Sequence, residues 1–322
     1  MNPKNESKKT LEIVVACYNE EENVAPLVDA VEKVVKENLP AYELRMLFID
    51  NCSHDKTREI LRSICAEKPW VRAIFNAKNF GHIRSPYHAL TQATGDLVML
   101  MCADFQDPPE LIPDFVHKWE EGYRVIVGTK KKSKTNPFVH AIRKLYYHII
   151  HKVSSIEQIE NFTGFGLYDQ SFVKVLASLD DPYPYMRGIV AEFGYKMTTI
   201  EYVQPERRAG KSHNNFGTLY DMAMNGITSY SKFFVRISSF IGAIIGCLGF
   251  IGFIIYLVFL FIAIGQNTFH PSIAYPIITC SAMFTGIILF FIGMVGEYVL
   301  QINTRVLKRP YVVEEERLNF DK

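Results

Sequence analysis

The chain has 322 residues, enough for one large domain and something added to it. Its 35 Lys and Arg against 34 Asp and Glu leave a formal charge of +1, so no global field draws it to nucleic acid and any basic site must be local. The six cysteines contain no C-x-x-C pair, which argues against a disulfide framework or a cysteine-rich zinc site and favours a reducing compartment.

Five nearly continuous apolar runs punctuate the first 130 residues: "LEIVVAC" (Leu11 to Cys17), "LRMLFID" (Leu44 to Asp50), "VRAIF" (Val71 to Phe75), "DLVMLMC" (Asp96 to Cys102) and "RVIVG" (Arg124 to Gly128). Their length and β-branched content predict strands, and helical patterns separate them. The first of those helices is expected to be capped by Asn19, with Glu20, Glu21 and Glu22 in its opening turn. Alternation of this kind predicts an α/β fold with a mainly parallel sheet. Ligands of such sheets sit beyond the carboxyl ends of the strands, where Asp50 and Asp104 fall. The chain has no G-x-G-x-x-G after the first strand and no G-x-x-x-x-G-K-[ST] anywhere, so dinucleotide and P-loop readings lack their phosphate-binding turns.

Further along, "HAIRKLYYHIIHKV" places Ile142, Leu145, Tyr146, Ile149, Ile150 and Val153 on one face, predicting an amphipathic helix over about 138–155. Leu219, Met222, Ala223, Ile227, Tyr230 and Phe234 repeat the spacing over 218–234. Basic amphipathic helices of this kind lie in a membrane interface, and "KKKSK" at Lys130 to Lys134 faces either anionic lipid or a diphosphate. From Val235 to Gly265 only Arg236 is charged, and Ala274 to Val295 has no charge at all. Two membrane spans are expected, over about 236–264 and 274–298. Gly242, Gly246, Gly249 and Gly252 supply the close helix contacts that lipid-embedded packing favours. Lys232 and Arg236 flank the first span and Arg305, Lys308 and Arg309 the second, while "QNTFHPS" between them has neither Lys nor Arg. Both termini and a domain over 1–217 are therefore expected in the cytoplasm, with 301–322 as a cytoplasmic tail of a multi-pass plasma (inner) membrane protein.

Taken together, "VVACYNEEENV", "FIDNCSHDKT", "NAKNFGHIRSPYHALTQATGD", "CADFQDPPELIPDF", "RRAGKS" and the two spans resemble the membrane-bound family 2 glycosyltransferases that load a sugar onto polyprenyl phosphate. The resemblance covers nearly the whole chain and keeps the order of the motifs. It implies a GT-A fold, a nucleotide-sugar donor (a UDP-hexose before a GDP-linked one), a divalent cation, Mg²⁺ or Mn²⁺, and inversion at the anomeric carbon. A homo-oligomer stays open.

The residue chemistry agrees. A departing diphosphate needs its growing charge offset, which an oxygen-coordinated cation does as a Lewis acid. Asp104 is the expected ligand, with Gln106 beside it. Cys102 stands where the family motif begins with Asp, and because a thiolate is too soft for Mg²⁺ it is expected to pack as a small apolar residue at the strand end. The resemblance assigns Ala16, Tyr18, Glu20, Asp50, Lys78 and Asn79 to the nucleotide sugar. A carboxylate can accept from a base N–H, but Asp50 can equally close an Asx-turn with Ser53. Two motifs depart from the family: "DNCS" (Asp50 to Ser53) replaces "DDGS" and "KNFGH" (Lys78 to His82) replaces "RNFGK".

In "NFTGFGLYD", Gly164 occupies the position of the family's proposed base, and the nearest carboxylate is Asp169, a candidate base or a helix cap. Arg207, Gly210 and Ser212 match the family's R-x-x-G-x-S-K motif, with His213 where a lysine closes the pattern, and Arg207, Arg208, Lys211 and Ser212 are the expected acceptor-phosphate site. The catalytic set expected is therefore Asp104, Arg207 and Asp169. Two other readings stay open, a sugar-nucleotide-binding protein without activity and a transferase with a hydroxyl acceptor.

Overall fold

A computed structural model describes residues 8–131, 159, 161–179, 181, 184–206, 208, 274–307 and 310–320, together with the single positions 244, 251, 254, 258 and 262. The expected amphipathic helices over 138–155 and 218–234, and Arg207, Lys211, Ser212 and His213, lie outside the described residues.

The five predicted strands are β1 (Lys9–Cys17), β2 (Tyr42–Asp50), β3 (Val71–Asn76), β4 (Leu97–Cys102) and β5 (Val125–Lys130). Between them run α1 (Val24–Asn38), α2 (Thr57–Glu67), α3 (Gly81–Gln92) and α4 (Ile112–Glu120). Then come β6 (Phe162–Asp169), α5 (Gln170–Ser178), α6 (Met186–Glu192), β7 (Met197–Tyr202), α7 (Ala274–Val306) and β8 (Glu314–Leu318). The sheet order is β7-β5-β6-β4-β1-β2-β3-β8. Strands β4, β1, β2 and β3 are mutually parallel, β5 and β7 pair in parallel, and β6 and β8 join antiparallel.

Successive residues of a strand face opposite sides, and both sides are dry here. Ile13, Val15, Phe48 and Met99 pack with α1, α2 and α4 on one face. Val14, Leu47, Ile49 and Val98 pack with α3 and α5 on the other. The α/β architecture with a mainly parallel centre is as the sequence predicts.

Two local expectations need correction. The first helix starts at Val24 with no acidic residue in its first turn and no side-chain cap. Asn19 sits instead in a left-handed conformation (φ 55°) and its Oδ1 accepts from the backbone N–H of His54, so it ties two loops rather than a helix end. The segment expected only as a tail supplies β8, which extends the sheet at the β3 edge. Its charged sequence hid it: Arg58, Arg62 and His88 meet Glu315, Glu316 and Glu314 across that edge.

The N-terminal ends of the central strands are held by Glu12, fully buried in β1. Its carboxylate accepts from Thr94 N–H (2.7 Å) and Gly95 N–H (2.8 Å) and pairs with Arg72. A Cβ on Gly95 would lie 2.7 Å from the Glu12 Cβ, so only glycine lets the two segments approach. The expected span at 274–298 falls within α7, and only five positions of the 236–264 span are described. Among the described residues no helix is long and apolar enough to cross a membrane.

Glu12→Ala orphans two N–H groups and the Arg72 guanidinium at once. It is expected to lower stability by about 3–5 kcal/mol, and Glu12→Gln by less, as urea unfolding of the purified protein would show.

Candidate active site

The parallel register brings Ala16 of β1 beside Cys102 of β4, so two strand ends open onto one cleft. The cleft has a volume of about 180 Å³ and a mostly apolar lining. Strand ends contribute Ala16 and Cys102, helix α3 contributes His82 and Tyr87, and Gly164 and Phe165 of β6 close the far side. Burial lowers the pKa of His82, which keeps this wall neutral.

Cys102 corrects the sequence reading. It is exposed in the cleft rather than packed at the strand end, because the chain turns there and carries Ala103 inward instead. Gly164 has φ +103° with nothing within 4 Å of an added Cβ. The space would admit a side chain but the backbone would not, since an L-residue there costs about 1–3 kcal/mol. The two positions at which the family pattern carries a carboxylate therefore both line this one cleft, and neither holds an acid.

The acids lie on the loop leaving β4. Asp104 is 3% exposed, and its Oδ1 accepts from Gln106 N–H at 3.1 Å. Phe105 between them has φ 60°, a left-handed conformation that turns the chain tightly at this point. Asp107 accepts from Cys102 N–H and from the Tyr202 hydroxyl, each at 3.0 Å. Burial pushes its carboxyl up to about 6, opposed by those two donors and helped by the charge of Asp104. The sequence gives Asp107 a place on this loop but no role, and it gives no signal for Tyr202.

Arg208, six residues past the end of β7, also touches this loop. Its backbone N–H is 3.4 Å from the Asp104 carbonyl oxygen, and its guanidinium carbon lies 5.2 Å from the Phe105 ring centroid.

The residues expected at the nucleotide form a second group, one loop away. Asp50 is fully buried and faces inward: it accepts from Ser53 N–H (3.1 Å) and pairs with Arg58 at 2.6 Å. The Asx-turn reading is the one the structure shows, with Arg58 as a further partner of the carboxylate. Ser53 in turn accepts from Asn19 N–H, and Thr57 Oγ1 accepts from Glu20 N–H, each at 2.8 Å. Glu20 Oε2 accepts from Asn23. Tyr18 is half-buried just before these contacts. Asn79 Oδ1 accepts from Asn51 Nδ2 and Gly81 N–H, and the Lys78 ammonium lies 5.1 Å from the Phe80 centroid. Neither Arg58 nor Asn51 stood out in the sequence, since nothing local marks a side chain as the tie between loops.

Asp169 does not join the site. It pairs with Leu97, the first residue of β4, whereas the cleft opens at the last, roughly 17 Å away at about 3.3 Å per residue. It caps α5 by accepting from Ser171 N–H, and also accepts from Trp119 and Arg124. Burial alone would raise its pKa, but these donors together hold it below the usual range. The candidate base is thus a structural carboxylate.

The glycosyl transferase family 2 model matches residues 12–176, which span β1 through α5. An uncharacterised glycosyltransferase of Bacillus subtilis, YkcC, is 31% identical, over 96% of this chain and 97% of the relative. The chain belongs to glycosyl transferase family 2. This family 2 glycosyltransferase is also 29% identical to a prophage-derived bactoprenol glucosyl transferase of Shigella flexneri, over 95% of this chain and 97% of the relative. Among solved structures, mannosyl-3-phosphoglycerate synthase of Rubrobacter xylanophilus aligns with 69% of the chain and 73% of its own at 15% identity, with a TM-score of 0.49.

Asp169→Ala is expected to lower stability by about 1–3 kcal/mol through the lost cap and orphaned donors. The KM for the sugar donor should stay unchanged. A thermal melt combined with donor kinetics would show the split.

Proposed function

We propose that this enzyme moves a hexose from a nucleotide sugar, UDP-linked before GDP-linked, to a polyprenyl phosphate at the cytoplasmic face of a membrane, with inversion. The observation that carries the reading is the contact of Arg208 with the Asp104–Phe105 loop. It sets the start of a basic segment against the carboxylate loop, which is what joining a phosphate acceptor to a diphosphate donor requires. The full-length similarity to bactoprenol glucosyl transferases supports the acceptor class.

Among the described residues no group of three His, Cys, Asp or Glu could hold a metal by itself. Two hard oxygen donors, Asp104 and Gln106, nonetheless fit Mg²⁺ or Mn²⁺, since such ions are commonly held by one or two carboxylates with substrate phosphates and water completing the shell. Bound there, the cation would offset the charge of the departing nucleoside diphosphate. Asp104 anchors the donor side, Ala16, Tyr18 and Lys78 border the nucleotide, and Arg208 with Arg207, Lys211 and Ser212 holds the acceptor phosphate. Asp50 acts behind them by fixing the loops.

General-base catalysis typically contributes ~10²–10⁴-fold where a hydroxyl must lose its proton. A phosphate monoester has its second pKa near ~6 and is largely dianionic at neutral pH, so it needs placement instead. That removes any demand for a carboxylate at Gly164 and agrees with the remote position of Asp169.

The membrane part of the proposal is supported by α7. Ile288, Ile292, Val295, Val299 and Ile302 are all exposed along it at helical spacing. Ile244, Ile251, Ile254, Val258 and Ile262 are likewise helical, exposed and spaced by three, four or seven residues. Water is a poor solvent for such stripes and lipid a good one.

Purified protein with Mg²⁺, undecaprenyl phosphate and a panel of labelled UDP- and GDP-hexoses tests the proposal. One donor should give a lipid-linked sugar, Asp104→Ala should lose turnover by at least ~10²-fold, and Cys102→Ser should retain most of it. Transfer to a sugar hydroxyl but not to the lipid phosphate would sink the acceptor assignment.

A further inference from the structure

The loop after β4 is closed by a side chain that also reaches a distant strand. Asp107, 3% exposed, takes the N–H of Cys102 on Oδ2 and the hydroxyl of Tyr202 on Oδ1, each at 3.0 Å. Tyr202 is the last residue of β7, 95 positions further along the chain, and its ring stands edge-on to Phe165 at 5.5 Å. Beyond it, Val203, Pro205 and Glu206 are exposed and belong to no helix or strand. Arg208 then returns to the loop through Asp104 and Phe105. An exposed segment of this kind gains little from packing, so its course depends on how its two ends are tied. One end is Tyr202, whose backbone pairs with Lys130 of β5 and accepts from Lys131 N–H, and whose side chain is held by the dry bond to Asp107.

We propose that Asp107 and Tyr202 form a latch that steadies Arg208 on the Ala103–Asp107 loop, and that both are positioning residues for the acceptor phosphate. The proposal rests on the reading of Arg208 as part of the acceptor site. Cations that must recognise a phosphate work best when ordered beforehand, because ordering them on binding reduces affinity for the acceptor without touching the donor. The same carboxylate holds Cys102 at the end of β4, so the loop after β4 and the stretch after β7 share this anchor. The latch is specific to the hydroxyl, since the Tyr202 ring would keep its contact with Phe165 without it.

Tyr202→Phe in the full-length protein removes only that hydroxyl. The KM for undecaprenyl phosphate should rise about tenfold, matching loss of one hydrogen bond to a charged group, while kcat and the donor KM stay within about twofold. Hydrogen exchange of the 203–208 amides should quicken about tenfold with β5 amides unchanged. Asp107→Asn, which keeps an acceptor oxygen, should shift both readouts in the same direction. Unchanged lipid KM and unchanged exchange in Tyr202→Phe would overturn the latch, as would equal rises in donor and lipid KM. If the wild-type enzyme ignores polyprenyl phosphate, the acceptor reading fails, and hydrogen exchange alone then decides whether the latch holds the segment.

Discussion

The loops beyond β1, β2 and β3 depend on the buried pair between Asp50 and Arg58. Parallel strands end in loops whose backbone groups have no ladder partner, and three such loops meet beyond β1, β2 and β3. Arg58 spreads one guanidinium over Asp50 (2.6 Å), the carbonyl of Asn76 (2.6 Å) and Glu315 (2.8 Å). Asp50 holds Ser53, Ser53 holds Asn19, and Asn51 reaches Asn79 and Phe80. Removing one partner of a buried pair costs about 3–5 kcal/mol because the other charge stays behind. Here the loss would also release the loops, so the pair couples stability to the shape of the site. Three planar donors and a fixed fork make the arginine hard to replace by lysine.

Much of this was legible in the sequence. The five apolar strands appear within a few residues of where "LEIVVAC", "LRMLFID", "VRAIF", "DLVMLMC" and "RVIVG" place them, because a strand buried on both faces is written as an unbroken apolar run. The carboxylate loop was legible too, since Asp104 and Gln106 follow a strand end directly. Strand β8 was not: "EEERL" is stabilised by cross-edge ion pairs, and no hydrophobic period marks it. Asn19 looked like a cap because its type suits one, but the true helix start four residues on depends on contacts with Ser53 and Thr57 that the local sequence does not reveal. Exposure of Cys102 and burial of Asp50 are likewise properties of how the loops fold over the sheet.

Cys102 and Gly164 belong together. Each departs from the family pattern, and read singly each suggests lost function. In the structure they line the same cleft, so an acid at either place would face the other's wall across an apolar space beside Tyr87 and Phe165. A carboxylate there would be desolvated and costly unless partnered. Taking both acids away together leaves Asp107, tied to Cys102 N–H and the Tyr202 hydroxyl, as the carboxylate lining the cleft among the described residues, so a dianionic acceptor meets less like charge there. The departures then agree with a phosphate acceptor better than with a hydroxyl one.

The way α7 ends extends that argument to geometry. From Val306 to Tyr311 the chain can span at most about 18 Å. Tyr311 is then fixed, with its hydroxyl bonded to the Leu179 carbonyl at 2.5 Å and its ring 5.3 Å from that of Tyr87. Tyr87 lines the cleft, and β8 follows Tyr311 directly into the sheet. The helix proposed to lie in the bilayer is therefore tethered to a wall of the cleft through one short connection and one aromatic pair. A lipid phosphate stays at the depth of the headgroups and cannot travel far into water, so a transferase acting on it must bring its cleft to the membrane. The short link from α7 to Tyr311 meets that requirement with the chain's own covalent length.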